Sequence, residues 1–173
     1  MEATTFNRNP MIAITLLRIL VGWHFLYEGL TKLTSPSFSA AGYLKQAKGP
    51  LAGAFHSLAA SPDMLANANL ITMWGLAIVG ALRILGLFTR LASLAGIAFV
   101  LMFYLAAPPW IGLSYAIPSE GSYLIINKNL VEVGALLVIF FTGSGRFAGL
   151  DRIISGLIRR RAGVVVTSVR GGR

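Results

Sequence analysis

Apolar residues come in four long runs separated by polar stretches, at about 11–33, 68–88, 91–107 and 124–142. Each approaches the roughly 20 residues that a helix needs to cross ~30 Å of hydrocarbon. Barrel-like alternation is absent, and a backbone in lipid must satisfy its own hydrogen bonds. The pattern therefore predicts an all-α fold, an integral membrane four-helix bundle. Between the first two runs, Ser37 to Lys48 and Leu51 to Ala60 read as short helices stopped by Gly49-Pro50 and Ser61-Pro62. They would lie in the interface or dip into the bundle as a lid. Gly75, Gly80, Gly86, Ala92 and Gly96 mark close helix packing, and Trp110, Tyr115 and Tyr123 suit an interfacial belt.

Composition agrees with the pattern. The chain is 55% hydrophobic and 12% charged, half the roughly 25% of a soluble domain. Without cysteine, it carries no disulfide, thiolate metal site, iron–sulfur cluster or CxxC couple of its own. The net charge of +9 is concentrated late: Arg146, Arg152, Arg159, Arg160, Arg161, Arg170 and Arg173 follow the fourth run. No aromatic is interleaved among them, so they read as a lipid-facing cytoplasmic tail rather than a nucleic-acid surface. With Arg8, Arg83 and Arg90 they put both termini in the cytoplasm, and the 34–67 and 108–123 loops outside. Lys32, Lys45 and Lys48 oppose this slightly. The expected organisation is a membrane domain over 1–152 and a basic tail over 153–173. Glu2 and the lack of a small-residue cleavage site predict that the first helix is retained.

The candidate chemistry lies in charges inside the greasy runs. Arg18 sits well within the first, where a charge is unfavourable by a few kcal/mol or more and normally faces a partner. Arg18, Gly22, Phe25, Gly29 and Lys32 share one helical stripe, with His24 and Glu28 at its edge. The fourth run carries Asn127, Lys128, Asn129 and Glu132. Counting about 12 Å inward from each end puts the Arg18 and Glu132 backbones about 6 Å apart in depth, so an Arg18–Glu132 pair is expected. Arg83 falls near the depth of Arg18. Two arginines facing one carboxylate leave a surplus positive charge, suited to an anion or to a quinone headgroup taking on negative charge.

Each assignment has a plainer counterpart. The Arg18–Glu132 pair reads equally as a packing device, and Arg83 as a snorkelling side chain. Glu28–Lys32 could be a solvated helix end, and His24 a hydrogen-bonded interior residue rather than a proton relay. Trp74 is a packing residue or the flank of a flat ring. The spacing of His24, Glu28, His56 and Glu132 does not support a metal site.

These residues also carry a resemblance. Arg18-Ile-Leu-Val-Gly-Trp-His-Phe-Leu-Tyr-Glu-Gly-Leu-Thr-Lys-Leu33 resembles the first-helix pattern of DoxX/DoxD membrane proteins. Trp74-Gly-Leu, Gly86-Leu-Phe-Thr-Arg90, Glu120-Gly-Ser-Tyr-Leu-Ile-Ile-Asn-Lys-Asn-Leu-Val-Glu132 and Gly149-Leu-Asp-Arg152 extend it over about 10–152. The flavour is closest to DoxD, the small subunit of thiosulfate:quinone oxidoreductase. The resemblance implies a four-helix subunit of a bacterial or archaeal cytoplasmic membrane that passes electrons from thiosulfate or another reduced donor to quinone, with a second subunit as partner. On that reading Glu28, Glu132 and His24 move protons. Arg18, Lys32, Trp74, Arg83, Lys128 and Asn129 hold the quinone. The expected associates are quinone and membrane lipid, with no metal, haem, flavin or nucleic acid. A scaffold subunit and a small-anion or lipid carrier are the competing expectations.

Overall fold

The structure is a computed structural model and describes residues 8–116 and 124–157. Its helices are α1 (Arg8–Thr34), α2 (Ala41–Lys45), α3 (Ala52–Ala60), α4 (Pro62–Leu85), α5 (Thr89–Ala106) and α6 (Lys128–Thr142), followed by a 3₁₀ turn at Ser144–Arg146. Among the described residues there is no strand. Three helices, α1, α4 and α5, are long and apolar enough to cross a membrane, with 27, 24 and 18 residues. Neighbours run antiparallel around a four-helix ring, α4 beside α1, α1 beside α6, α6 beside α5 and α5 beside α4. The predicted belt residue Tyr123 and the tail beyond 157 lie outside the described residues.

Helix ends follow local chemistry. Ser61-Pro62 ends α3 at Ala60, as the sequence predicts, and also opens α4: Ser61 is extended and Pro62 is the first helical residue, where its missing N–H costs nothing. The second span thus begins six residues before the apolar run does. At its other end Gly86 takes φ +65°, with Gly86 N–H donating to Arg83 O and Leu87 N–H to Leu82 O, a Schellman closure. The fourth helix is shorter than the apolar run predicts. Asn127 is extended, and its side-chain oxygen accepts from the Asn129 and Leu130 N–H groups, which starts the helix at Lys128 and leaves Leu124–Ile126 outside it.

Two close contacts set the geometry. The first joins the α1 and α4 backbones: a Cβ at Gly80 would lie 2.3 Å from Leu26 N, and one at Gly29 would lie 2.4 Å from Ala77 N. The second ties the turn between α4 and α5 to the chain after α6. Phe88, at the start of α5, has φ +47° and no side-chain cap of its own. Asp151 supplies the cap from 63 residues away, accepting Phe88 N–H at 2.8 Å, Thr89 N–H at 3.0 Å and the Thr89 hydroxyl at 2.7 Å. Its own N–H donates to Gly86 O. Partial burial pushes the Asp151 carboxyl up, but the Thr89 hydroxyl and the Thr89 and Phe88 N–H groups, with Arg146 nearby, hold it below its usual range.

The central core is Phe25, Leu76, Val79, Val100 and Leu136. A second cluster, Leu44, Ala47, Phe55, Ala59 and Ala106, seats α2 and α3 on the end of α5. Of the two outer-loop helices, α2 is shorter at both ends than the sequence suggests and α3 starts one residue later, and they fold over the bundle as a lid.

Two outcomes test this packing. Gly80→Ala places a methyl against backbone that cannot move aside, an overpacking cost of about 1–3 kcal/mol. Gly134→Ala meets nothing within 4 Å, and gains up to ~1 kcal/mol of helix propensity. In detergent, Gly80→Ala should melt below the parent protein and Gly134→Ala at or above it; equal shifts would contradict the close crossing. Because Asp151 is depressed, its stabilisation is present above the unfolded value of about 3.9 and is lost as pH falls through the lower folded value. Asp151→Asn should melt lower than the parent at pH 7, and the gap should close in acid. A gap independent of pH would remove the charge from the cap.

Candidate functional site

The bundle and its lid enclose a cavity of about 920 Å³ at the end where α1 finishes and α6 begins. Apolar walls come from both layers: Phe25, Leu76 and Phe103 from the bundle, and Phe38, Tyr43 and Phe55 from the lid. The polar wall is made by α1, which contributes His24, Glu28 and Lys32 on successive turns, and by the first turns of α6, which contribute Lys128, Asn129 and Glu132. The i, i+4, i+8 spacing on α1 is what aligns its three groups.

These groups form two pairs along the wall, Lys32 with Glu28 and His24 with Glu132. Lys32 Nζ is paired with Glu28 Oε2, donates to Glu28 O at 3.2 Å and lies 5.9 Å over the Phe38 ring. His24 Nε2 stands 3.9 Å from Glu132 Oε2, an ion pair when the imidazole is protonated. Glu132 is the inner member, its side chain 17% exposed against 55% for His24. Lys128 acts electrostatically on both carboxylates. Two carboxylates, two ammonium groups and one imidazole thus face an aromatic chamber, an arrangement able to orient a flat polar ligand and move protons to it.

The lid is latched by its own polar contacts. Tyr43 Oη donates to Phe103 O at 2.8 Å, and the Lys48 N–H donates to Ala106 O. Lys48 Nζ donates to Ser114 O and lies 5.5 Å over Tyr115, whose hydroxyl reaches Pro108 O. Gly49 is required here, since a Cβ would lie 1.7 Å from Leu105 O. His56 Nε2 lies 3.0 Å from Ala47 O and braces the lid. Burial first, with Tyr115 nearby, pushes the Tyr43 phenol up to about 12, so it stays a neutral donor.

The structure divides the predicted site. His24, Glu28, Lys32, Lys128, Asn129 and Glu132 share the cavity, whereas Arg18, Arg83 and Trp74 do not line it. Trp74 is 55% exposed on the bundle exterior. The expected Arg18–Glu132 pair does not form. Instead Arg18 Nη2 donates to Ala148 O at 2.6 Å, its guanidinium pressed on Gly86. Side chains lean toward the N-terminus of their helix, and α1 and α6 run in opposite directions, so the two groups lean apart. Arg83 is fully buried rather than snorkelling, and its Nη1 donates to Ser93 Oγ at 3.3 Å. Its electrostatic partner is Glu132, with no ion pair between them.

Sequence reasoning missed the lid's Tyr43 and Phe38 as walls and Asp151 as a remote cap. Tyr43 lay inside a predicted lid helix, a usable signal; nothing local marked Asp151 as the partner of Phe88. Among the described residues no three His, Asp or Glu side chains cluster for a metal.

Residues 13–168 match the family model described as TQO small subunit DoxD, where TQO is thiosulfate:quinone oxidoreductase. No curated protein and no solved structure matches the chain.

Tyr43 offers a test of the lid. The stabilisation from its neutral phenol is complete below the ordinary value near 10 and is lost as pH rises through about 12. In an ultraviolet titration of the five tyrosines, Tyr43→Phe should delete the latest-titrating component. Loss of an early component instead would place Tyr43 in water and the lid open.

Proposed function

As this chain belongs to the DoxD family, we propose that it is the membrane subunit of a quinone-linked oxidoreductase and that its lidded cavity receives the quinone headgroup. A single observation carries the reading: one chamber joins an aromatic interior to the two pairs, Lys32 with Glu28 and His24 with Glu132. At about 920 Å³ it lies within the usual range of small-molecule sites, roughly 300–1,000 Å³. Phe38, Tyr43 and Phe103 suit a flat ring. A quinone supplies the capacity to accept two electrons and two protons.

The protein's part is positioning and proton handling. Glu132 holds a proton at the inner end of the cavity, and His24 passes one between Glu132 and the more exposed Glu28. Lys32 and Lys128 favour negative charge on the ligand's oxygens, with Asn129 as a neutral hydrogen-bonding neighbour. Arg18 and Arg83 support the bundle from outside the cavity. The electron donor is thiosulfate or a similar small reduced anion, and the name of the family's small subunit points to a second subunit as partner.

The helix ends support an orientation. Arg8, Arg90, Arg146 and Arg152 gather at one end of the bundle, which the positive-inside rule assigns to the cytoplasm. The cavity then opens toward the outer face. With α6 counted as the fourth span, this is a multi-pass subunit of a cytoplasmic membrane.

The test is donor-dependent reduction of a short-chain quinone by membranes containing this chain and its co-purifying partner. Glu132→Gln should slow turnover by about 10²-fold or more, the scale of a lost general acid or base, with an unchanged melting temperature. A full rate in the variant would take the proton role away from Glu132. Absence of quinone from organic extracts of repeated preparations would argue against the site itself.

A further inference from the structure

The arginine-bearing end of the bundle has a cavity of its own, independent of the quinone reading. It measures about 410 Å³ and is lined by Met11 of α1, Arg90 of α5, and Thr142, Gly143, Arg146 and Phe147 at the end of α6. Three separate chain segments thus converge on a pocket that holds two exposed guanidinium groups. Among the described residues neither Arg90 nor Arg146 has a carboxylate within ion-pair distance. Asp151, the acid that Arg146 influences from further away, is already engaged by Phe88 and Thr89. The Thr142 hydroxyl donates to Val138 O, so the two arginines supply the free donors.

Two guanidinium forks on different elements suit a tetrahedral oxyanion better than a lone carboxylate, because each can donate two parallel hydrogen bonds. The surroundings decide the source of that oxyanion. Met11 is 8% exposed and closes the pocket on the α1 side, and the exterior beside it is apolar: Leu91 is 66% exposed, Leu94 50% and Phe141 73%. A helix-end pocket lies at headgroup depth, and basic pockets between membrane helices hold anionic headgroups. We propose that this pocket binds the phosphodiester headgroup of an anionic phospholipid, clamped by Arg90 and Arg146, with the acyl chains lying along the exposed apolar faces of α5 and α6.

Native mass spectrometry of the full chain tests this, using mixed micelles of phosphatidylglycerol or phosphatidylcholine. Both arginines are exposed, so Arg90→Gln/Arg146→Gln should leave the fold intact, and a melting curve checks that. The parent protein should retain phosphatidylglycerol over phosphatidylcholine by roughly tenfold or more, two arginines each contributing to headgroup attraction. The double variant should lose that preference. Arg152→Gln, exposed near the same end but outside the pocket, should keep it. Equal retention of both lipids would overturn the proposal, as would an Arg152→Gln loss equal to that of the double variant, which would mean diffuse surface charge. Displacement of the lipid by excess inorganic phosphate would overturn the lipid assignment and leave a small-anion site.

Discussion

The contact between the α1 and α4 backbones is the constraint from which the rest of the bundle follows. Gly29 lies against Ala77 and Gly80 against Leu26, with no room for a side chain between them. In lipid there is little hydrophobic drive between helices, so close packing and internal hydrogen bonds must hold them. This crossing fixes the rotation of α1. It brings His24, Glu28 and Lys32 to the chamber, and puts Trp23 and Tyr27 on the exterior at 59% and 57% exposure. Gly22 belongs to the same face, where a Cβ would lie 3.0 Å from Arg83 Cβ.

The buried arginines illustrate how a membrane bundle accommodates charge without neutralising it pairwise. Arg18 uses a backbone carbonyl and Arg83 a serine hydroxyl. Asp151 and Glu132 act on them from a distance. An isolated buried ion is costly, and deleting one partner of a buried set usually costs more than replacing the whole set. Arg18 therefore reads as an anchor for the chain after α6: it pins Ala148 beside the Gly86 turn, where Gly149 and Gly86 are too close for any side chain.

Much of this was legible in the sequence. Long apolar runs give the helices directly, and three of the four reach spanning length. Six of the nine proposed site residues share one cavity because helical periodicity aligned His24, Glu28 and Lys32, and the same turns of α6 carry Lys128, Asn129 and Glu132. The pairing of Arg18 was not legible from depth alone, since depth ignores which way a side chain leans. The cap on α5 was not legible either. Asp151 and Phe88 are 63 residues apart, and local spacing rules do not reach that far. The early end of the fourth helix did have a signal, Asn127 ahead of Lys-Asn-Leu, which the hydrophobic run obscured.

The length of α6 has a consequence for the surrounding lipid. At about 1.5 Å per residue the four walls measure roughly 40, 36, 27 and 22 Å, and the hydrocarbon layer is about 30 Å thick. With α6 taken as the fourth span, a bilayer closing round the bundle would meet one wall about 8 Å too short and would thin there or let polar groups sink below its surface. The short side is the one that carries Lys128, Asn129 and Glu132. A lipid-soluble molecule diffusing in the membrane plane therefore encounters, along this one flank, a dip in the bilayer with polar groups at its edge.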